Sequence, residues 1–326
     1  MSDFADAAGE DGASNLNNGL QVSDGPAAAA AEVQHSITSC NYKLVCAHEE
    51  MNPRRRNTME DVHRIVPSLP GAPEYSYFGV YDGHGGRQIV DYLEESLEAN
   101  VSNELQQLDE APIKERLTRA FLITDMHSRR LNITTSGATA VVALLRTCFT
   151  DASSSALEGE PKVVASKMLY VANVGDSRAV LAASDPSSSS GYRALRLSYD
   201  HRAEDEGEQK RIKDAGGFIT RGRVLGILAV SRSFGDHGMK DFVTADPYVT
   251  EKNVLTCAPD GSSDCPLLIL ACDGVWDVLT DQEATDLLLH HWLEKGGPFS
   301  GAAKLLVDTA IERGSADNVS AIVCWL

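Results

Sequence analysis

Acidic residues stand at the ends of several hydrophobic segments of this sequence. They are Asp82 after 75–81, Asp176 after 169–175, Asp273 after 267–272, and Asp317 before 319–326. A single Asp-Gly after a strand is usually only a turn, because aspartate bonds its own backbone and glycine tolerates positive φ. Strand ends can also meet at one edge of a sheet, where gathered carboxylates repel one another unless a cation neutralises them. The sequence therefore predicts a site for hard divalent cations.

The stretch 82–86, Asp-Gly-His-Gly-Gly, raises the alternative of a nucleotide-binding loop. Gln88 stands where G-x-G-x-x-G needs glycine, and G-x-x-x-x-G-K-[ST] occurs nowhere, so both nucleotide-binding motifs are absent. No cysteine has an arginine six positions later, which excludes the arrangement of cysteine-nucleophile phosphatases. Regularly spaced His and Cys do not accompany the acids, and this disfavours zinc. Carboxylates and carbonyls as ligands favour Mg²⁺ or Mn²⁺.

Composition narrows the class of protein. The 326 residues include 47 acidic and 29 basic ones, and the formal net charge is −18. Because nucleic-acid phosphates need a basic surface, we expect no nucleic-acid partner, and no cationic patch or long apolar run indicates a membrane partner. The seven cysteines form no C-x-x-C pair, which is typical of a reduced intracellular protein. We expect a monomer in the cytoplasm, the nucleus or both.

The chain divides at about residue 36. Residues 1–36 are rich in Ala, Gly, Asp, Asn and Ser, a composition that predicts a disordered N-terminal tail. Residues 37–326 show no repeat and no further change of composition, which favours one domain. Apolar periodicity predicts helices at 86–106 and 112–131, and the last helices are expected at 281–294 and 300–313. Residues 204–215 are expected to form a charged helix that ends at Gly216-Gly217 as a left-handed terminator. Strands and helices each occur in neighbouring pairs, which favours a layered α+β fold over strict βαβ alternation.

Seven segments, in order, resemble the signature blocks of the type 2C metal-dependent Ser/Thr protein phosphatases. They are 56–61 (RNTMED), 78–85 (FGVYDGHG), 136–140 (SGATA), 172–178 (ANVGDSR), 228–236 (LAVSRSFGD), 271–277 (ACDGVWD) and 314–320 (GSADNVS). The resemblance covers residues 39–326, and seven ordered blocks are far more specific than any single one. It implies that 37–326 form a phosphatase catalytic domain. The implied fold is a four-layer αββα sandwich, in which two mainly antiparallel sheets lie between antiparallel helix pairs.

The resemblance also implies a centre of two Mg²⁺ or Mn²⁺ ions. Asp82 would bridge both ions and the carbonyl of Gly83 would bind one, while Asp273 and Asp317 would complete the other. Glu60 would hold metal-bound water. A weaker third metal site corresponds to three acids of this chain. They are Asp176, Asp273 and Asp277.

Hydrolysis of a Ser or Thr phosphate also needs a proton donor for the leaving alkoxide and a binding group for the phosphate. His84 suits the donor role because imidazole titrates near neutral pH, and the resemblance implies that Asp61 orients it. Without the resemblance, His84 would be interpreted as a turn histidine that bonds the backbone. Arg56 suits the phosphate because its planar guanidinium can bind two oxygens; the alternative is a surface arginine.

The sequence says less about which proteins are substrates than about the catalytic site. Many family members read Asp-His-Lys-Pro where this chain has Asp200-His-Arg-Ala, and residues 204–223 correspond to a variable flap beside the site. The chain most resembles the short fungal members, which act on stress-activated kinases, so phosphorylated Ser/Thr proteins, including MAP kinases, are the expected partners. Two alternatives stay open. One is a catalytically inactive scaffold, and the other is a structural αβ domain whose Asp-Gly pairs are only turns.

Overall fold

Two β-sheets and their flanking helices make up the part of the chain that the computed structural model describes. That part comprises residues 33–35, 41–151, 163–188, 190–254 and 267–326, with 33–35, 149–151 and 163–165 described by backbone alone. No helix in these ranges is long and apolar enough to cross a membrane. The strands are β1 (Val33–His35), β2 (Leu44–Glu50), β3 (Asp61–Val66), β4 (Tyr75–His84), β5 (Gly137–Asp151), β6 (Val163–Val174), β7 (Arg178–Ser184), β8 (Tyr192–Arg196), β9 (Ile219–Thr220), β10 (Arg223–Val224), β11 (Phe234–Gly235), β12 (Tyr248–Asn253), β13 (Leu267–Ala271) and β14 (Val319–Trp325). The helices are α1 (Gln88–Leu105), α2 (Ile113–Ser128), α3 (Glu206–Asp214), α4 (Asp273–Trp276), α5 (Asp281–Lys295) and α6 (Ala302–Glu312), with short 3-10 helices at Arg129–Leu131 and His237–Met239.

Both large sheets are antiparallel throughout their strand pairs. One has the order β1-β2-β14-β13-β7-β8, and the other has the order β12-β6-β5-β4-β3, with β11 paired to β5. Strands β9 and β10 form a separate small hairpin. The predicted α+β fold with two mainly antiparallel sheets is therefore confirmed.

Alternate side chains of β4 pack into two different hydrophobic cores, one on each face of the sheet. Phe78 and Val80 belong to the core between the two sheets, where they join Leu268 of β13 and other residues of the opposite sheet. Tyr77 and Tyr81 point to the other face and join the core beneath α1 and α2. This is the period of two expected of a strand that is buried on both faces.

The helices cover the outer faces of the two sheets. Helix α1 buries Leu93 and Leu97 against the sheet that contains β4, one helical turn apart, as the periodicity of an amphipathic helix requires. Helices α5 and α6 bury Leu288 and Leu306 against the other sheet, in a core that also contains Trp325. The order of layers is helices, sheet, sheet, helices, which leaves the sheet ends open for a site.

Three residues of the predicted N-terminal tail lie in the part of the chain that the structure describes. The predicted disordered tail, 1–36, includes β1, whose Val33 pairs with Ala47 of β2 in an antiparallel register. The pairing supplies backbone hydrogen bonds at an edge of the sheet, an outcome that composition alone does not reveal. Residues 1–32 and 36–40 lie outside the described residues, so disorder there and the domain boundary stay predictions.

The flap segment is anchored to the domain through a buried carboxylate. Helix α3 begins after Asp205, whose side chain accepts from the Glu208 backbone N–H, and ends before Gly216, which has φ +84°, as predicted for a left-handed terminator. Glu208 is buried and binds Arg232, Arg211 and the Ser231 hydroxyl. Burial alone would raise the pKa of Glu208, but these hydrogen bonds outweigh it and lower the pKa to about 2. The carboxylate therefore stays ionised and holds the base of the flap.

Candidate metal centre and active site

The sequence-predicted acids meet at one end of the two sheets. A cavity of about 220 Å³ is lined by Asp82, Asp176, Asp273 and Asp317, together with Gly83, His84, Arg56 and Thr139. Asp82 lies near the end of β4, Asp176 follows β6, Asp273 follows β13 and Asp317 precedes β14. The two sheets pack face to face, so their strand ends place side chains from four separate segments around one cavity.

Antiparallel pairing of β3 and β4 fixes the most buried part of the site. Asp61 lies opposite Asp82 in this register. The Asp61 carboxylate is buried and accepts a hydrogen bond of 2.7 Å from the Ser320 hydroxyl of β14. Donor atoms of Asp61, Asp82 and Cys272 lie within 4.8 Å of one another. Asp61 is therefore part of the acidic cluster around Asp82.

The crowded carboxylates perturb one another strongly. Burial raises the pKa of Asp82 well above its usual range, and Asp273 and Asp61 raise it further. Burial and the Asp176 carboxylate likewise raise the pKa of Asp273, while burial raises the pKa of Asp61 to about 7. Uncompensated negative charge at this spacing is unfavourable. A divalent cation would relieve the repulsion, and the carboxylate oxygens of the cluster match Mg²⁺ or Mn²⁺, whereas the nearby Cys272 thiol is not a ligand that these hard cations prefer.

Gly83 and Glu60 are tied together at the edge of the cavity. The Gly83 backbone N–H donates to the Glu60 carbonyl over 3.1 Å, and a Cβ on Gly83 would lie 2.5 Å from that carbonyl oxygen. Only glycine allows the two backbones to approach this closely. The Glu60 carboxylate accepts hydrogen bonds from the Thr58 hydroxyl and the Gly86 backbone N–H. The chain thus holds Glu60 next to the predicted metal-binding carbonyl.

Arg56 reaches the same cavity from the loop before β3. Its Nη2 lies 2.5 Å from Oδ2 of Asp317, and its Nε donates to the Ala316 carbonyl. About half of the arginine side chain is exposed to solvent. Arg54 and Arg55 are exposed and do not line the cavity. Arg56 is therefore the arginine of this run that could meet a bound phosphate.

The structure corrects the predicted partner of His84. Nε2 of His84 lies 2.8 Å from Oδ2 of Asp236, whereas the Asp61 carboxylate bonds Ser320 in the interior. Asp61 lies on β3 beside Asp82, and it faces the buried cluster instead of the imidazole. Sequence order alone did not reveal this, because Asp236 is 152 residues from His84.

The predicted third-metal acids share an arginine. Arg202 lies 3.4 Å from Asp176 and 3.1 Å from Asp277, and it approaches Asp200 at 3.9 Å. Asp277 does not line the cavity of Asp82; together with Arg202, Asp176 and Asp273 it lines an adjoining one of about 360 Å³. Burial raises the pKa of Asp176 to about 6 against the opposing effect of Arg202. The Arg202 guanidinium thus supplies positive charge at a place where the sequence predicts only a metal ion.

A larger cavity of about 540 Å³ opens beside His84. It shares His84, Arg223 and Leu228 with the acidic cavity, and Ile227 and Met239 add apolar surface to it. Arg223 is exposed, and its guanidinium donates to the Ile227 carbonyl. The flap residue Arg223 therefore lines both cavities, and His84 lies where they adjoin.

Comparison with known proteins decides the family. The family described as Protein phosphatase 2C matches residues 47–319, which is most of the chain and includes nearly all of the site. The chain belongs to this family. Protein phosphatase 2C homolog 1 of Saccharomyces cerevisiae is 36% identical over 90% of this chain and 96% of its own length. The homolog 1 of Schizosaccharomyces pombe is 32% identical over 84% of this chain and 71% of its own length.

Two solved structures share the fold. A phosphatase from a pathogenic strain of Toxoplasma gondii superposes with a TM-score of 0.67 at 25% identity, covering 87% of this chain and 92% of its own. A Caenorhabditis elegans sex-determining protein gives the same TM-score at 23% identity over 86% of this chain and 64% of its own. The chain is thus an enzyme of the protein phosphatase 2C class, whose members are metal-dependent hydrolases of phosphoserine and phosphothreonine in proteins.

Sequence reasoning missed some residues of the site. Asp236 lies in the segment 228–236 that carried the resemblance, but no role was assigned to it. Arg202 stands at the position where many family members have lysine, and the substitution was noted without its contact to the acidic cluster. Both side chains act through contacts between distant segments. The sequence signals were an acid at the end of a recognised block for Asp236 and, for Arg202, a basic residue where many family members have lysine.

Proposed function

We propose that this protein phosphatase 2C hydrolyses phosphothreonine and phosphoserine at a binuclear centre of Mg²⁺ or Mn²⁺ held by Asp82, Gly83, Asp273 and Asp317. The observation that carries the proposal is the convergence of these donors on one cavity, beside His84 and Arg56. Glu60, tied to Gly83, would hold a coordinated water. Asp176, Asp273 and Asp277 would form a weaker third site, which Arg202 partly neutralises.

The donor set fits the ions that the family uses. The side-chain donors are the carboxylates of Asp82, Asp273 and Asp317, and burial and neighbouring carboxylates raise the pKa values of Asp82 and Asp273. The remaining donor is the backbone carbonyl of Gly83, and oxygen donors of this kind suit hard cations. When bound, a pair of divalent ions supplies an acidified water and neutralises charge on the phosphoryl group. The same cavity presents Arg56, whose guanidinium can move from Asp317 to the phosphate oxygens because it is half exposed. The protein around the ions therefore binds the substrate and positions it.

His84 would provide the proton for the leaving group. The bond from phosphorus to the seryl or threonyl oxygen breaks, and its electron pair stays on that oxygen. The oxygen takes a proton from the imidazole, while the attacking water forms the new bond to phosphorus and gives up its own proton to solvent. His84 lines both the acidic cavity and the larger neighbouring one, so it stands between the phosphate site and the space for the peptide. A general acid contributes about 10²-fold to 10⁴-fold in such reactions.

For the substrate, we propose phosphothreonine in the activation segments of stress-activated MAP kinases, encountered in the cytoplasm or the nucleus by a monomeric enzyme. Support comes from the similarity to two fungal homologues, over 96% of the length of one and 71% of the length of the other. The larger cavity beside His84 has an apolar side, formed by Ile227, Leu228 and Met239. That cavity could hold a residue that neighbours the phosphothreonine.

The test is phosphate release from a doubly phosphorylated activation-segment peptide of the form pThr-x-pTyr. With Mn²⁺ we expect release from phosphothreonine and none from phosphotyrosine, as the Ser/Thr specificity of the protein phosphatase 2C class predicts. Excess EDTA should abolish the release, and fresh Mn²⁺ should restore it. Phosphate and the two singly phosphorylated products are measured by colorimetry and mass spectrometry.

The controls distinguish the proposed phosphatase activity from the proposed preference for kinase activation segments. A scrambled phosphothreonine peptide tests sequence preference, and equal rates on both peptides would contradict the kinase-segment proposal while leaving the phosphatase intact. No release from any phosphothreonine peptide at any Mn²⁺ concentration would contradict the enzymatic proposal and favour the scaffold alternative. Release that EDTA does not affect would contradict the metal centre.

A further inference from the structure

We propose that Asp236 is the residue that positions His84 for proton transfer. The proposal rests on the phosphatase function above, in which His84 is the proton donor to the leaving alkoxide. The pair joins β4 to the segment that follows β11, so two distant parts of the chain meet at the imidazole. Asp61, which the family resemblance implied for this task, does not contact the ring.

Both the carboxylate and the backbone of Asp236 are held by hydrogen bonds. Asp236 is buried, with a side-chain exposure of 4% against 30% for His84. Its Oδ2 accepts hydrogen bonds from the Ser233 hydroxyl at 2.5 Å and from His84 Nε2 at 2.8 Å. Its backbone N–H donates to the Ser136 carbonyl over 3.1 Å. Because the carboxylate is fixed in this way, its position determines the orientation of the imidazole, and not the reverse.

The strand beneath the pair is shaped for the contact. Gly137 begins β5, and a Cβ at this position would lie 2.1 Å from Oδ2 of Asp236 and 2.4 Å from Nε2 of His84. Glycine is therefore needed where the imidazole and the carboxylate meet. Asp236 itself has φ +47°, a left-handed conformation that aspartate and asparagine tolerate better than other side chains. The residue that binds His84 is therefore also the residue with the left-handed backbone.

The contact leaves one ring nitrogen for chemistry. Because Nε2 donates to Asp236, Nδ1 is the nitrogen that can pass its proton to the seryl or threonyl oxygen. A carboxylate acceptor makes a stronger hydrogen bond than a neutral group does. Asp236 therefore fixes both the orientation of the imidazole and which nitrogen faces the substrate. His84 is the catalytic residue of this pair, and Asp236 acts through it.

Leaving-group dependence distinguishes this role from a merely structural one. A phosphothreonine peptide needs a protonated leaving group, whereas p-nitrophenyl phosphate expels a stable phenolate and needs little acid assistance. We expect Asp236→Asn to lower kcat on the phosphothreonine peptide by about 30-fold or more. On p-nitrophenyl phosphate, kcat should fall by less than about threefold. Asparagine keeps the shape and tolerates the left-handed backbone, and circular dichroism checks the fold.

The matched control is Glu98→Gln. Glu98 is also a buried carboxylate with a cationic partner, Arg64, but it lies on α1 away from the cavity, and both activities should stay near wild type. Equal losses of Asp236→Asn on the two substrates would overturn the proposal, and so would no loss on either. Metal-dependent release by the wild type on the phosphothreonine peptide tests the phosphatase function separately, so the two failures are distinguishable.

A double-substitution cycle adds a second test. If Asp236 acts only through the imidazole, Asp236→Asn should cost less than about threefold in a His84→Ala background. Losses that multiply would overturn the proposal. Should Asp236→Asn fail to fold, Ser233→Ala removes one of the bonds that fix the carboxylate. Ser233→Ala should lower kcat on the phosphothreonine peptide by about three- to tenfold, with little change on p-nitrophenyl phosphate. An equal change in kcat on both substrates would overturn the proposed role of Asp236.

Discussion

Replacing Asp82 by asparagine should lower metal-dependent turnover by about 10³-fold or more while the fold stays intact. Asp82 is the predicted bridge between two ions, and it lies among Asp61, Asp273 and Cys272 in the deepest part of the cluster. An amide provides one weaker oxygen donor and no charge, so two cations would lose their shared ligand. The measurement is kcat on a phosphothreonine peptide across a wide range of Mn²⁺ concentrations.

The same substitution should stabilise the metal-free protein. Burial and neighbouring carboxylates raise the pKa of Asp82 in the folded state, which means that its charge is unfavourable there at neutral pH. Removing the charge relieves that cost, and urea unfolding in EDTA at pH 7.5 should show a higher free energy of unfolding than wild type. Asp308→Asn, an exposed carboxylate paired with Lys304 on α6, is the control for both measurements. Turnover within about threefold of wild type would contradict the bridging role.

Without metal, the stability of the protein should rise as the pH falls from about 8 towards 5. The folded pKa of Asp61 is about 7 and that of Asp176 about 6, while an unfolded aspartate titrates near about 4. The folded state therefore binds protons that the unfolded state does not, so ionisation of these groups destabilises the fold above their folded pKa values. Stability gained by protonation is lost as the pH rises through about 6 to 7.

Saturating Mn²⁺ should remove this pH dependence, because the cation takes over the neutralisation that protons provide. At 100 times its dissociation constant, a ligand that binds only the folded state stabilises it by about 2.7 kcal/mol. We expect a rise of several degrees in Tm at pH 8 and a smaller one at pH 5, measured by calorimetry. Asp273→Asn should lose most of the Mn²⁺ effect. An equal Tm shift at both pH values would contradict competition between protons and metal at this cluster.

The sequence predicted much of the fold because local patterns were strong. Helix α3 began and ended within two residues of the predicted 204–215, since Asp205 and the left-handed Gly216 mark its ends. The acids at 82, 176, 273 and 317 could be foreseen to converge because each stands at the end of a buried strand. Such signals lie within a few residues of one another, so a single sequence carries them.

The contacts that the sequence did not reveal join segments far apart in the chain. His84 meets Asp236 rather than Asp61, because Asp61 is directed inward by the β3–β4 register and by Ser320. Arg202, which precedes the flap, contacts Asp176 and Asp277, which lie 26 and 75 residues away in the chain. Neither contact follows from composition or spacing. Both contacts depend on the positions that the loops between strands take in the folded protein.

The number of Mn²⁺ ions bound at full activity tests the binuclear centre most directly. Metal-free protein is titrated with Mn²⁺ by equilibrium dialysis, bound metal is measured by elemental analysis, and phosphate release is followed in the same samples. We expect activity to reach its maximum as the second ion binds, and Asp82→Asn to bind fewer ions without gaining activity. Full activity with one ion per chain, or with none, would contradict a phosphatase that works through two cations held by Asp82, Gly83, Asp273 and Asp317.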